Sequence, residues 1–435
     1  MKKKILNGLK GAILVLFLSP FAAKAQQPQV TNLRPYDQSG INVFETPKDN
    51  GPSTFTGLKV RWGAGFTQSF QSLKHENQST LPGNALYKMT PGFNTANANL
   101  FMDVQLADGI RLNLTSYLSS RHHNETWVKG GYIQFDKLPF KGKFWSDLME
   151  ITTIKVGHME INYGDQHFRR SDGGQTIYNP FVENYILDAF NTEIGGEIYL
   201  QKNGVFGMLG VSNGMIKGNI DSLSPTPQDA NIHKSPAIYL KAGIDKKVSD
   251  QLRVRVSASF YHDGSSGGNT LYGGDRTGSN YFMVMEKIGG TTAGNAFSGR
   301  LNPGFSKKVD AFQLNGFLKA SGLELFATYE NANGRSKSEV STRNVSQYAI
   351  DGVYRFGKEE NLFIGLRYNS VSARMPGATS DIEINRIAGG AGWFLTKNIL
   401  LKGEVVNQKY LKYAPTDLNY GGKFYGFVIQ AVVGF

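Results

Sequence analysis

Leu252-Arg253-Val254-Arg255-Val256-Ser257-Ala258-Ser259-Phe260-Tyr261 decides the fold class. Leu252, Val254, Val256, Ala258 and Phe260 fall on one face, and Arg253, Arg255, Ser257, Ser259 and Tyr261 on the other. A period of two is the signature of a β-strand with one apolar and one polar side. A helix would mix the two sets on every face.

The pattern recurs along the chain. Leu58, Val60, Trp62, Ala64 and Phe66 alternate with Lys59, Arg61, Gly63 and Gly65. Leu100, Met102, Val104 and Leu106 alternate with Asp103 and Gln105, and Ile110, Leu112 and Leu114 with Arg111, Asn113 and Thr115. Ile194, Ile198 and Leu200 oppose Glu193, Glu197 and Gln201, while Leu362, Ile364, Leu366 and Tyr368 oppose Arg367 and Asn369. These segments run to about nine to thirteen residues, the length of a tilted transmembrane strand and longer than the ~5–6 residues of a soluble one. Connections alternate between short turns, such as Ala107-Asp108-Gly109, and long Gly/Ser/Asn/Pro-rich loops at 214–235, 262–279 and 289–306. That alternation is the habit of outer-membrane barrels, whose periplasmic turns are short and external loops long. A propeller would repeat itself every ~40–50 residues, and no such repeat is present. A sandwich would consume apolar faces in pairs and leave no long one-sided strands. The expectation is an all-β transmembrane antiparallel barrel of sixteen strands, with eighteen as the next choice.

The two ends agree. Tyr425, Phe427, Ile429, Ala431, Val433 and Phe435 form an unbroken apolar face with aromatics at both extremes, as a lipid-facing strand requires. At the other end stand Met1-Lys2-Lys3-Lys4, the apolar run Ala12–Leu18, and Ala23-Lys24-Ala25. Basic, apolar and small-residue regions in that order read as a secretory signal peptide over 1–25. The apolar run is far shorter than the ~20 residues of a membrane-spanning helix. Residues 26–54 are then expected as a periplasmic N-terminal segment and 55–435 as the barrel.

Composition narrows the chemistry. The 435 residues contain no cysteine, so disulfides, thiolate metal sites and cysteine nucleophiles are excluded. Glycine is abundant, with 51 residues, and aromatics make up 12%. The formal charge is +12, but cleavage after Ala25 would remove five lysines and no acid, leaving +7. Much of the basicity is thus targeting, and no nucleic-acid partner is expected.

On these features the chain resembles a bacterial outer-membrane porin, most like the large-barrel proteins of Bacteroidota, in Gram-negative outer membranes. It is distantly similar to the phosphate-selective porin group through Lys155-Val156-Gly157-His158-Met159-Glu160-Ile161-Asn162-Tyr163-Gly164-Asp165. In that group, a similar strand end leads into the loop that narrows the pore. The terminal strand, with Tyr425, Phe427, Ile429, Val433 and Phe435, resembles the signal read by the barrel-insertion machinery. Outer-membrane lipid, that machinery, and a homotrimer or larger complex are the implied partners.

By alternation the lumen should receive Lys59, Arg61, Arg111, Lys155, Arg253, Arg255 and Arg367 alongside Glu193 and Glu197. Rings of one sign would select ions, whereas paired opposite charges would brace the wall. The constriction candidate is 164–190, with Arg169-Arg170, Asp172-Gly173-Gly174 and Tyr178-Asn179-Pro180-Phe181. It is too long for a turn and more aromatic than a solvated loop, and it could present Arg169 and Arg170 to the channel or close the mouth from outside. Catalytic patterns are weak. Adjacent His122 and His123 would point to opposite faces of a strand, His158 and Glu160 lack further ligands, and 263–268 has no P-loop lysine. No catalytic, cofactor or metal site is therefore expected. The functional expectation is passive diffusion of ions or small hydrophilic solutes; the alternative is an accessory barrel subunit of a larger outer-membrane complex.

Overall fold

The computed structural model describes residues 27–28, 30–46, 55–119, 126–216, 223–273, 279–296 and 298–435. The signal-peptide reading of 1–25 and the His122-His123 pair lie outside the described residues. The strands are β1 (Lys59–Glu76), β2 (Gly92–Phe93), β3 (Asn97–Ala107), β4 (Ile110–Ser119), β5 (Trp127–Phe135) and β6 (Thr152–Glu160). There follow β7 (Thr192–Lys202), β8 (Val205–Ser212), β9 (Ala237–Lys247), β10 (Leu252–Asp263), β11 (Lys308–Ala320) and β12 (Leu323–Arg335). The last are β13 (Arg343–Phe356), β14 (Leu362–Ala373), β15 (Ile382–Thr396), β16 (Ile399–Leu411) and β17 (Lys423–Gly434). A helix, α1 (Lys143–Ile151), precedes β6.

Among the described residues, sixteen strands form a closed antiparallel barrel, each paired with its neighbours in chain order. The two-residue β2 only extends the edge of β1, matching Phe93 with Phe70. Closure is made by β1 and β17, in register from Gly65–Gly434 to Glu76–Lys423. A closed barrel pairs each strand on both sides along most of its length, so the backbone polar groups of the wall are met within the protein, as a lipid environment demands.

The faces are inverted relative to a soluble protein. In β10, Val256 and Phe260 are exposed, while Arg255, Ser257, Ser259 and Tyr261 are buried. In β17, Tyr425, Phe427, Ile429 and Phe435 face outward, and Phe424, Val428, Gln430 and Val432 face in. An apolar exterior of this extent fits lipid, and the molecule is a transmembrane barrel of the outer-membrane type.

One end of the barrel carries tight connections: 108–109, 203–204, 248–251, 321–322, 357–361 and 397–398. At the other end lie the long connections 77–96, 161–191, 213–236 and 264–307, together with shorter ones. By the usual habit of such barrels the tight end is periplasmic.

Candidate solute path

The long connection after β6 turns into the barrel. Nearly every residue from Ile161 to Asn191 is buried, and Phe181, Val182, Ile186 and Leu187 are fully so. It bends at Gly164, where φ is +70° and a Cβ would fall 1.7 Å from Gln313 Oε1. Its backbone polar groups would be orphaned in the lumen, but side chains of the wall receive them. Asp165 N–H donates to Asn315 (2.9 Å), Val182 N–H to Glu404 (3.0 Å), Ile186 N–H to Asn369 (2.7 Å) and Leu187 N–H to Gln347 (2.9 Å). Lys402 Nζ donates to the carbonyls of Thr176, Asn179 and Phe181, each at 2.8 Å. Gly174 N–H reaches Asn99 Oδ1 (2.8 Å), and Thr67 Oγ1 donates to the Gly174 carbonyl (2.8 Å). The loop therefore crosses from the β11–β16 side to β1 and β3.

A second segment enters from the tight end. Gln38 N–H donates to the Lys397 carbonyl (2.8 Å), and Tyr36 stacks on Phe101 with ring centroids 4.0 Å apart. Asn42 Nδ2 donates to Glu324 (2.6 Å), and Asn42 Oδ1 accepts from Arg169. Glu45 meets Lys241 (3.0 Å) and Arg255 (2.7 Å), which also hold Asp165. Burial pushes the Glu45 carboxyl up, but Lys241 and Arg255 overcome it and hold it at about 2. Residues 30–46 thus plug the tight-end mouth and interlock with the inward loop.

The loop after β10 covers the opposite end. Asn280 and Tyr281 N–H donate to Glu183 Oε2 (2.5 and 3.1 Å), and Phe282 N–H to Gln71 (2.9 Å). Leu271, Tyr281 and Val284 are almost wholly buried. Burial raises the Glu183 carboxyl above its ordinary range despite Arg386 and Arg300 nearby.

Between the N-terminal segment, the inward loop and the β4–β7 wall a cavity of about 250 Å³ remains. It runs from Gln134, Thr153 and Gln201 near the tight end to Lys129, Asp172 and Phe190 toward the long-loop end. Aromatic rings line it, among them Tyr36, Phe44, Tyr132, Phe168, Tyr178 and Tyr199. Its carboxylates are engaged: Glu160 with His167 (2.5 Å), Asp172 with Lys129 and Tyr117, and Glu45 as above. Two of its cations are not paired with a carboxylate among the described residues. Lys155 Nζ lies 5.2 and 4.9 Å from the Tyr132 and Tyr199 ring centres. Arg34 sits 3.6 Å over Tyr178 and donates to the carbonyls of Gly40 and Phe168 (2.9 and 2.8 Å).

Among solved structures the chain is similar to the anion-selective porin from Comamonas acidovorans, with 9% identity and a TM-score of 0.54, covering 87% of this chain and 100% of that one. The fold is that of the outer-membrane porins. OmpT of Vibrio cholerae gives 10% identity and a TM-score of 0.49, covering 88% and 100% of the two chains. OmpF of Salmonella typhi, in complex with daunomycin, gives 11% and 0.48, also covering 88% and 100%. No protein-family model and no curated protein matches the sequence.

Within this porin fold the expected lumenal residues take different positions. Lys155 and Arg170 line the cavity. Arg170 does so while bonded to Asp188, and its guanidinium lies 3.6 Å over Phe190. Arg169 is buried apart from the cavity lining, among Asn42, Glu324, Phe317 and Phe326. Arg111 pairs with Asp136, Arg253 with Asp245 (2.7 Å), Arg255 with Asp165 (2.8 Å) and Arg367 with Asp351 (2.7 Å). Glu193 accepts from Ser212, Tyr261 and Asn191, and Glu197 from Tyr199 and the Asn162 N–H. Lys59 is half-buried at the start of β1, and the Arg61 guanidinium lies 5.4 Å over Tyr36. Arg34 and Lys129 were not singled out from the sequence. Strand parity would not have found Lys129, because a register irregularity opposite Thr115 and Ser116 takes it out of the simple alternation, and nothing local marks Arg34 as lumenal.

Proposed function

We propose that the chain is an outer-membrane porin through which small hydrophilic solutes diffuse passively, along the β4–β7 wall rather than the barrel axis. The observation that supports this reading is the polar and aromatic cavity left beside the inward loop. Small anions are the favoured solutes, because Lys155 faces the cavity over two tyrosine rings without a salt-bridge partner, and such a positive charge raises the local anion concentration. No catalytic role is proposed. The same proposal includes a cleaved leader over 1–25, residues 26–54 as the periplasmic lead, membrane insertion through the terminal strand, and a homotrimer or larger complex. The likeness to the large-barrel porins of Bacteroidota, and the more distant one to the phosphate-selective porin group through 155–165, belong to it as well.

Single-channel recording of the purified barrel in a planar bilayer tests the reading. Discrete conductance steps with anion preference are expected; a correctly folded barrel that stays silent overturns it. A second reading has one observation in its favour: residues 30–46, 161–191 and the described part of the loop after β10 pack inside the barrel. That suits an accessory barrel of a larger assembly, for which silence together with copurifying partners in mild detergent is the expected pair of results.

A further inference from the structure

The tight end of the barrel has one exception. Six of its connections are brief, but 136–151, between β5 and β6, is long and carries α1. This connection exposes large apolar rings. Phe140 and Phe144 are 57% and 69% exposed, and the Trp145 ring centre lies 5.1 Å from each of theirs. Only Met149 of the helix is buried. No residue of 138–151 lines the cavity, so the rings have no part in the solute path.

What the rings adjoin is the lipid-facing band. The helix runs without a break into β6 and packs on β6 and β7. The outward face of β7 at this end carries Ile198 and Leu200, both about half exposed. Lys141 and Lys143, both exposed, lie between Phe140 and Phe144 in sequence, with Lys143 also meeting the exposed Asp147 at 2.7 Å. Two phenylalanines left in water would forgo roughly 25 cal/mol for every Å² of apolar surface they could bury. A headgroup layer accepts both parts of the pattern, rings into the acyl boundary and lysines to phosphates. We infer that 138–151 is an interfacial anchor that seats α1 in the phospholipid headgroup layer at the tight end of the barrel. It depends on the transmembrane barrel and not on the channel reading, since a plugged barrel would use it equally.

The absence of native cysteine makes the test direct. Full-length Phe144→Cys and Lys141→Cys variants carry a nitroxide label in vesicles of phosphatidylethanolamine and phosphatidylglycerol. Ile429→Cys, on the outward face of β17, and Val340→Cys, in an exposed loop, serve as lipid and water references. The label at 144 should match that at 429, with relaxation by oxygen severalfold stronger than by a water-soluble nickel complex, while the label at 141 favours nickel. A label at 144 as open to nickel as that at 340 overturns the inference. So does a label that is wet in these vesicles yet shielded in native outer membranes, because a protein partner would then be what covers the rings.

Discussion

Arg170 and Asp188 grip each other from opposite ends of the inward loop, Nε to Oδ1 at 3.2 Å and Nη2 to Oδ2 at 2.7 Å. Arg300, from the loop that covers the long-loop end, adds a third contact to the same carboxylate at 2.6 Å. One carboxylate thus ties the inward loop to itself and to its cover.

Arg170→Ala leaves Asp188 buried with Arg300 as its remaining cation. Breaking a buried pair costs roughly 3–5 kcal/mol, and Arg300 should hold the loss near the lower figure. Urea unfolding in detergent should show a lower midpoint, and single-channel steps should become larger and noisier. Unchanged values in both would mean that the loop is held by its backbone contacts alone.

Lys155→Glu places an acid where the cavity now has a cation facing two tyrosine rings. The reversal potential across a KCl gradient should move toward cation preference, with Lys155→Ala between that and the parent. Lys143→Ala, outside the lumen, should leave it unmoved. If all three variants share one reversal potential, the ion path does not pass Lys155.

Gly174 lies so close to the wall that a Cβ would fall 2.4 Å from the Gly65 carbonyl oxygen and 2.6 Å from Ala98 Cα. Gly174→Val should therefore lift this stretch off β1 and β3, at a cost of about 1–3 kcal/mol for overpacking. The loop should become cleavable by added protease in the otherwise intact barrel. Resistance equal to the parent would contradict the close approach.

Acid should loosen the N-terminal segment. Glu45 is held at about 2 against an ordinary 4.5, so its stabilisation is complete above 4.5 and is lost as pH falls from there toward 2. Asp165, which shares Lys241 and Arg255, is also held below its ordinary range and acts in the same direction. A fluorophore on Val43→Cys, which is only part exposed, should gain access to a soluble quencher as pH is lowered from 5 to 2. Adding Glu45→Gln should leave the segment already loosened at neutral pH.

The wall was legible because its physics is local. Each strand shows its two environments two residues apart, so Val256 against Arg255, or Ile429 against Gln430, declares the faces without knowledge of any partner. The inward loop was half legible: its length and its Tyr178–Phe181 aromatics exclude a turn, but packing inside or closing the mouth from outside remained open. Phe181 chooses the inside by lying against Gly365 and Gly390 of the wall, contacts nearly two hundred residues away in sequence. The N-terminal plug was illegible for the same reason. Glu45 acquires meaning only beside Lys241 and Arg255, and Phe44 only beside Phe317 and Phe168. The 262–279 and 289–306 stretches read as loops by composition, yet Leu271 and Leu301 within them are buried against groups no local window contains.

The seam between β1 and β17 has a consequence for the order of assembly. Ala64 and Phe435 exchange both of their backbone hydrogen bonds there, at 2.9 and 3.1 Å. The wall thus closes by joining the strands farthest apart in sequence, the kind of contact that forms late because the whole chain must be gathered first. By then the inward loop has to be already enclosed or still able to enter through an open mouth, since a sealed wall admits nothing sideways. A barrel packed with its own chain behaves like a vessel closed around its contents, and the timing of that last zip decides what is kept inside.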